Sequence, residues 1–406
     1  MSKLISPSAE PIFWLLPGPA AFVDALASAI PKARALAVAA QGRPVIGFWA
    51  AVQRALEAAH ATNDQVHTLN VDDGSHIESD IGHHVGAVSI TAAKLAHWSG
   101  PGHRTFVLAP KSPRAVDKCW QYLSGFSEAL HANACADQGA TRLIVVRDDS
   151  GPIWRQSLAL EMVTFSGALS PQEMKAYVAM RMIGRRGPGS TDLTQRLVAE
   201  FSGFDAGFAE ELMVLSEQDL LNLPHSLANV AHRLPTLDSV WRDSRLETGS
   251  IAEIDGGIHA HVLHEWHLAS HEGPMREAAT RDMASRYWRA CLSALMPWME
   301  ERRHRVIDVL KPALEVHLAH TSGVRRRVTA NQNKVIEVPI AELECNDIVQ
   351  MKYDKPQAFM VSGIRELAAV DVCRKVVRVR NDLAHLKCPE PMAIVELVRA
   401  MDELLR

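Results

Sequence analysis

Apolar residues recur with the period of an α-helix through the C-terminal part of the chain. Across residues 363–386 they are spaced by three or four positions, which places them on one stripe of a helix. A second stripe follows Pro391, since proline ends one helix and can begin the next. Residues 287–318 show the same period, and we expect Pro297 and Pro312 to kink or break that helix. These three stretches predict an all-α C-terminal bundle.

The N-terminal half has a different pattern, in which short apolar runs alternate with helical stretches. Such alternation predicts parallel strands joined by crossover helices, and therefore an α/β domain. At 170–173 the sequence Ser-Pro-Gln-Glu combines a capping box with proline at the first helical position, so a helix starts there. Two further helical stretches, 191–201 and 207–221, predict a small helical lid. The predicted strands are 12–16, 66–71, 105–109, 143–146 and 158–165, and the predicted crossover helices are 45–60, 90–97, 115–131 and 170–183.

The chain is long enough for two domains. Its 406 residues are 47% hydrophobic and 22% charged, which is the composition of a globular protein that buries sizeable cores. We therefore predict an α/β domain with a helical lid at 1–233, a linker with a connecting helix at 234–285, and a helical bundle at 286–406. A strand-like run at 335–340 predicts a hairpin or extended loop inserted into the bundle.

Charge and cysteine content narrow the function classes. A formal net charge of −4 argues against a protein that coats nucleic acid over its whole surface, and leaves room for a local basic patch. The six cysteines show no CxxC spacing, which indicates a cytoplasmic location and no thiolate zinc site. No segment offers the roughly 18 uninterrupted apolar residues of a transmembrane helix, so we expect no membrane association.

The order of five strands followed by a helical lid resembles the AAA+/STAND class of P-loop ATPases. A P-loop has the sequence G-x-x-x-x-G-K-[ST], because backbone N–H groups and the lysine bind phosphates and the hydroxyl binds Mg²⁺. After the first predicted strand the chain has Leu-Pro-Gly-Pro-Ala-Ala-Phe-Val at 16–23, and the third strand reaches Pro110 without a Walker-B acid. The resemblance therefore implies a degenerate P-loop-NTPase-like domain that hydrolyses no ATP and holds no cofactor. An unrelated doubly wound sheet is the alternative.

Candidate chemistry lies in the sequence Arg-Asn-Asp-Leu-Ala-His at 380–385, where the helical stripe ends. Arginine is a permanent planar cation that suits a phosphodiester oxygen, and histidine can exchange a proton near neutral pH. On a helix Asn381 and His385 share one face, whereas Arg380 lies about 140° around the axis from His385. For Arg380 and His385 to meet on one phosphate, the helix must end between them or two copies of it must combine.

This spacing of Arg, Asn and His late in a helical bundle resembles the HEPN ribonuclease superfamily. The resemblance implies a homodimer formed through the C-terminal bundle, an RNA substrate, and a role in bacterial defence or a toxin–antitoxin system with a regulatory or antitoxin partner. It implies metal-independent endoribonucleolytic cleavage through attack of the ribose 2′-hydroxyl. Arg380 would stabilise the transition-state phosphate, Asn381 would orient His385, and His385 would transfer protons.

Other interpretations of the same residues stay open. The bundle can be of HEPN type without nuclease activity, or the motif can be a coincidence. The alternative function is a non-catalytic adaptor or scaffold of a defence complex that binds partner proteins or phosphate ligands. Basic residues near the motif favour a polyanion, although a run such as 325–327 can equally be a solvated face without aromatic residues for base stacking. The basic residues are Arg325, Arg326, Arg327, Arg374, Lys375, Arg378 and Arg380.

Histidines cluster before the bundle, where His264, His267 and His271 have the spacing of one helical face. Neutral imidazoles bind Zn²⁺ or Ni²⁺, but the sequence His-Glu-Trp-His lacks the HExxH spacing of zinc proteases. We interpret the cluster as a partly buried polar connection between domains and predict no metal site. Its members are His259, His261, His264, Glu265, His267 and His271.

Overall fold

The computed structural model describes residues 9–40, 45–59, 65–100, 102–132, 141–147, 160–183, 192–227, 251–254, 257–319, 324–328, 335–354 and 359–406. The chain divides into two compact units whose segments alternate along the sequence. The first unit comprises Met1–Arg181, Ser202–Glu211 and His232–His264, and the second comprises Met182–Phe201, Leu212–Ala231 and Glu265–Arg406. Most of the predicted linker before residue 251 lies outside the described residues, and the predicted domain limits stay a prediction.

A five-stranded sheet forms the centre of the first unit. Its strands are β1 Ala35–Ala40, β2 Gln65–Val71, β3 Arg104–Pro110, β4 Thr141–Arg147 and β5 Glu161–Phe165. They are arranged in the order β2-β3-β4-β1-β5, and every neighbouring pair is parallel. The central strands β1, β3 and β4 are almost completely buried, as expected for a parallel sheet covered on both faces. The predicted α/β class with a parallel sheet is confirmed.

The helices of the N-terminal half follow the crossover pattern. The start of the helix predicted at 170–173 is confirmed, because the Glu173 N–H donates to Ser170 Oγ (3.4 Å) and the Ser170 N–H donates to the Glu173 carboxylate (2.9 Å). The helices are α1 Ala9–Phe13, α2 Pro17–Ala29, α3 Phe48–Ala59, α4 Ile77–Val85, α5 Ala92–Ala96, α6 Pro113–Ala132, α7 Pro171–Arg181, α8 Leu193–Ser202, α9 Ala206–Met213, α10 Glu217–Leu221 and α11 Leu223–Ser226.

One strand was predicted in the wrong place. The apolar run at 12–16 lies in α1 and the turn before α2, because Pro17 begins a helix instead of following a strand. The first strand of the sheet is β1, with the sequence Ala-Leu-Ala-Val-Ala-Ala. Alanine has a low preference for strands, so this segment lacks the usual signal of β-branched and aromatic residues. Small side chains suit a strand that is buried on both faces.

The C-terminal part is largely helical, with two short hairpins. Its longest helix, α13, is not broken at Pro297 or Pro312, since apolar residues on either side of each proline are buried and packing offsets the lost backbone bonds. The elements are β6 Ile251–Ile254, β7 Gly257–Ala260, α12 Val262–Ser270, α13 Arg276–Ala319, β8 Val324–Val328, β9 Val335–Pro339, a 3₁₀ turn Ile340–Glu342, α14 Cys345–Asp354, α15 Ile364–Ala384 and α16 Pro391–Leu405.

α15 packs against α13, α14 and α16, so it is the central helix of this part. The predicted helical C-terminal region and its inserted hairpin, β8–β9, are confirmed. Its identity as a HEPN bundle stays a prediction. No helix among the described residues combines the length and apolar character that crossing a lipid bilayer requires.

Candidate functional site

The predicted motif lies at the C-terminal end of α15, and the helix stops directly before its histidine. His385 has φ −96° and ψ 19°, outside the helical repeat, and Leu386 then adopts φ +58°. The Lys387 N–H donates to the carbonyl of Asp382 at 2.8 Å, which closes the turn. The Trp288 indole of α13 donates to the carbonyl of Leu383 at 2.9 Å. The backbone around His385 is therefore held by several bonds.

The motif side chains Arg380, Asn381 and His385 are all exposed. Asn381 and His385 are four residues apart and share a face at the helix end. In the part of the chain that the structure describes, no hydrogen bond joins the Asn381 amide to the imidazole. Access to the imidazole is a requirement for proton transfer to a substrate, and the exposed His385 meets it. The orienting role of Asn381 stays a prediction.

Arg380 faces away from His385. Its guanidinium donates to the carboxylate of Glu344, just before α14, at 2.6 Å, and both side chains are about half exposed. Arg380 and Glu344 line a cavity of about 480 Å³ together with Arg303 and Cys345, whereas His385 does not line it. The angular separation of Arg380 and His385 on a helix predicts this divergence. A single copy of the chain thus places the two residues in different surroundings.

Two buried cysteines lie beside Arg380. The Cys345 and Cys373 thiols are close enough to hydrogen-bond, and this bond lowers the pKa of Cys345 while it raises that of Cys373. The positive charges of Arg303 and Arg380 lower the pKa of Cys345 further, against the opposing effect of burial. Glu300 raises the pKa of Cys345, and Glu300, Glu342 and Glu344 line the same cavity as the two arginines, so its lining carries both signs of charge.

The basic residues of this part fall into two groups. Arg325 is largely buried and pairs with Asp347 (3.3 Å), and Arg326 pairs with Glu337 across the β8–β9 hairpin (3.4 Å). Arg325 therefore has a structural role. Arg374 and Arg378 instead lie exposed on α15, on the same face as Asn381 and His385.

Tyr353, at the end of α14, was missed by the sequence analysis. Its side chain is 65% exposed, and the guanidinium carbon of Arg374 lies 5.7 Å from the centre of its ring. An aromatic residue thus does accompany the basic residues of α15. The spacing of Arg374 and His385 in the sequence is sufficient to place both on one face of a helix. No sequence pattern predicts that α14 packs next to that face.

The histidine cluster has structural contacts. His261 is buried, and its Nδ1 accepts the Leu263 N–H at 3.1 Å, so we assign the proton to Nε2, which lies 3.3 Å from the Asp205 carboxylate. The rings of His267 and His271 lie 4.1 Å apart on the surface of α12. Among the described residues, no group of three or more His, Cys, Asp or Glu side chains is arranged to hold a metal ion.

The corrected position of β1 also moves the expected P-loop. Residues 16–23 precede that strand, so they are not at the P-loop position. After β1 the sequence is Gly-Arg-Pro-Val-Ile-Gly at 42–47, which has the G-x-x-x-x-G spacing and leads into α3. Phe48 and Trp49 then stand where a P-loop has its lysine and hydroxyl. Residues 42–49 therefore also lack the lysine and the hydroxyl of a P-loop, and the assignment of a degenerate P-loop domain stays a prediction. β3 reaches Pro110 without an acid, as predicted.

Aromatic rings fill the space around Phe48. Phe48 is 2% exposed and stacks on Phe22 with 5.7 Å between ring centres, and Phe22 stacks on Phe165 at 5.0 Å. Trp14 lies 5.5 Å from Phe165, and its indole donates to the carbonyl of Ile46 at 2.7 Å. We call this set the aromatic cluster; its members are Phe13, Trp14, Phe22, Phe48, Phe165 and Tyr177.

A carboxylate side chain also occupies the position next to Gly47. Gly47 has φ +67°, and a Cβ built there would lie 2.3 Å from Cγ of Glu10. The Phe48 N–H donates to the carbonyl of Val45 at 3.1 Å, so this amide is used within the loop. A P-loop instead directs its free amides and a lysine toward phosphate. The described residues at this position therefore favour apolar packing over phosphate binding.

Solved structures of two other proteins are similar to the chain at low sequence identity. No protein-family model matches the chain. The structure of Drosophila ORC bound to DNA is 11% identical, and the match covers 86% of this chain and 94% of that one with a TM-score of 0.25. A mutant of RuvB from Thermotoga maritima is 13% identical, and the match covers 63% of this chain and 94% of that one with a TM-score of 0.22. At these TM-scores neither match supports a conclusion about this chain.

Proposed function

We propose that the protein is a metal-independent endoribonuclease effector of a bacterial defence or toxin–antitoxin system, with its active site at the end of α15. The observation that carries the proposal is the exposure of His385 and Asn381 on one face of this helix, in line with two exposed arginines. An accessible imidazole beside fixed positive charge is the minimum that cleavage of RNA without a metal requires.

In the proposed reaction, His385 takes the proton of a ribose 2′-hydroxyl, or gives a proton to the leaving 5′-oxygen. The 2′-oxygen bonds to phosphorus as the bond to the 5′-oxygen breaks, which leaves a 2′,3′-cyclic phosphate and a 5′-hydroxyl. Arg380 stabilises the extra negative charge of the phosphorane, and Asn381 orients His385. Water carries the proton that His385 does not, so the proton lost by the 2′-hydroxyl is matched by the proton gained by the 5′-oxygen.

Arg380 requires a second copy of the chain to take this role. Its guanidinium faces Glu344 in one copy, so symmetric pairing of two C-terminal parts would bring Arg380 of one copy to His385 of the other. The ion pair with Glu344 is partly exposed, and such pairs contribute only about 0.2–1 kcal/mol, so an RNA phosphate can replace the carboxylate.

The experiment is incubation of the purified chain with RNA in EDTA, followed by mapping of cyclic-phosphate ends. Wild-type protein should cleave, while His385→Ala and Arg380→Ala should not. Light scattering should show a dimer. Equal cleavage by all three proteins would remove the motif from the mechanism. If folded wild-type protein leaves RNA intact, the adaptor function replaces the nuclease.

We also infer that the first unit is a degenerate AAA+-type domain that acts as a sensor or scaffold. The order β5-β1-β4-β3-β2 differs from the Rossmann and flavodoxin-like orders, which favours the AAA+/STAND resemblance over these two folds. The G-x-x-x-x-G spacing after β1 supports the same assignment. Purified protein should neither bind nor hydrolyse ATP, and turnover stimulated by RNA or a partner would contradict the inference.

A further inference from the structure

We propose that the exposed face of α15 is a track for single-stranded RNA, with a base-stacking position at Tyr353 and Arg374. The track runs from these two residues along Arg378 and Asn381 to His385. It rests on the proposed function only for its end point, since His385 is where that function places cleavage. The chemistry recognised is an unpaired base next to a run of backbone phosphates.

The stacking position is formed by a ring and a planar cation. Tyr353 is 65% exposed, and the guanidinium carbon of Arg374 lies 5.7 Å from its ring centre. This distance is within the range of a cation–π contact, which holds the two side chains together. Aromatic rings and guanidinium planes both stack on unpaired bases with little regard to sequence. A base on this pair therefore needs no specific hydrogen bond.

The residues that extend the track toward His385 lie on one face of α15. Arg374, Arg378, Asn381 and His385 follow one another by four, three and four residues, which keeps them within about 60° of one another around the axis. Eleven residues of helix extend about 16 Å, which is longer than the separation of neighbouring phosphates in a strand. The two arginines can thus bind phosphates while the next nucleotides reach His385.

Acidic neighbours do not block this face. Arg378 pairs with Glu390 at 3.0 Å, with both side chains more than half exposed, and Lys375 pairs with Asp371 at 2.8 Å. Exposed pairs of this kind are weak, so a phosphate can displace Glu390 from Arg378. The bases of a duplex are already stacked on one another and cannot reach Tyr353. The track therefore selects single strands.

The test measures binding in the full-length His385→Ala chain, so that the RNA stays intact. A labelled single-stranded uridine oligonucleotide serves as the probe, with an RNA duplex for comparison. Adding Tyr353→Leu should weaken binding of the single strand about 5-fold to 150-fold, the range for loss of one stacked base. Tyr353→Phe keeps the ring and should bind as the parent does.

Arg374→Ala should also weaken binding. The slope of log K against log[salt] should become shallower by about 0.7 for each phosphate contact that is lost. Arg365→Ala is the matched control, because Arg365 is exposed on the same helix but lies about 180° around the axis from Arg374. It should change nothing. If Tyr353→Leu and Arg374→Ala bind as tightly as the parent with unchanged melting temperatures, the track is refuted. Equal affinity for the duplex would also refute it.

These results separate the track from the nuclease. Weaker binding by Tyr353→Leu, together with no cleavage by the wild-type chain, would support the track and remove the nuclease. Cleavage by the wild-type chain with unchanged binding in both track variants would support the nuclease and remove the track.

Discussion

After β1, the first residue that follows the G-x-x-x-x-G sequence is packed among aromatic rings, whereas at the end of α15 the motif side chains lie on the surface. Phe48 occupies the position of a P-loop lysine and is 2% exposed. His385, to which the proposed nuclease function assigns proton transfer, is exposed. One region is part of a hydrophobic core, and the other presents polar groups that are accessible to a ligand.

The two regions differ in what surrounds their side chains. Loss of a polar side chain alone leaves a cavity, and a cavity destabilises the fold. In the first unit the space is filled by Phe22, Phe165 and Trp14, so this region now contributes to stability. At the end of α15 no comparable packing surrounds Asn381 or His385 in the described residues. Substitutions should therefore affect stability in one region and activity in the other.

The largest expected effect is on activity. His385→Ala should lower RNA cleavage about 10²- to 10⁴-fold, because a positioned proton-transfer group is lost. The free energy of unfolding should change by only about 0.5 kcal/mol, since the side chain is exposed. Single-turnover cleavage and denaturant unfolding would measure the two quantities on the same preparation. If His385→Ala loses activity because it unfolds, the two regions do not differ in the way proposed.

The reverse pattern is expected in the aromatic cluster. Phe48→Ala should lower the free energy of unfolding by about 3–5 kcal/mol, because a buried ring is removed and a cavity remains. Phe48→Lys should destabilise the fold further without restoring ATP hydrolysis, since it would bury a charge. Urea denaturation and an ATPase assay would test this pair. Gain of ATP turnover in Phe48→Lys would show that the site was blocked by one side chain only.

A smaller effect is expected at the ion pair between the motif and α14. Glu344→Gln removes the charge that competes with phosphate for Arg380, so RNA affinity should increase a few-fold. Stability should fall by no more than about 1 kcal/mol, because the pair is partly exposed. Arg399→Ala, which breaks an exposed pair with Glu403 on α16, is the control and should leave RNA binding unchanged. Weaker RNA binding in Glu344→Gln would mean that the pair positions Arg380 for its substrate.

The smallest effect concerns a histidine packed in the first unit. Burial lowers the pKa of His67, and the nearby His84 and Arg104 lower it further. The unfolded chain therefore binds more protons than the folded one below about pH 6.5, so stability should decrease as pH falls through this value. His67→Phe should flatten the dependence of unfolding free energy on pH between about 7 and 5. Parallel curves for the two proteins would show that His67 titrates normally.

Local sequence signals predicted a large share of the fold. β2, β3 and β4 have apolar runs bounded by polar segments, and α15 and α16 have clear helical stripes. β1 escaped prediction because four of its six residues are alanine, a small residue that suits a doubly covered strand but gives no strand signal. Its misplacement then led to a comparison of residues 16–23 with a P-loop, instead of residues 42–49. An error in one element thus changed the residues of a candidate site.

The candidate sites depended on contacts that no local pattern contains. Glu344 and Arg380 are 36 residues apart in sequence, yet their side chains are 2.6 Å apart. Tyr353 lies under Arg374 because α14 packs against α15. Such contacts follow from how helices pack. The spacing of residues in one helix can identify which residues share a face of that helix, but not which residues of another helix contact that face.

The turn after α15 has a consequence for how His385 is placed. The Leu386 N–H donates to Leu383 and the Lys387 N–H to Asp382, with Leu386 in a left-handed conformation, which together form a Schellman motif. This motif fixes the backbone of His385 when the helix folds, so little backbone entropy remains to be lost when a substrate binds. The direction of the imidazole thus depends first on main-chain geometry. A glycine at position 386 would preserve the left-handed conformation there, whereas a β-branched residue would strain it.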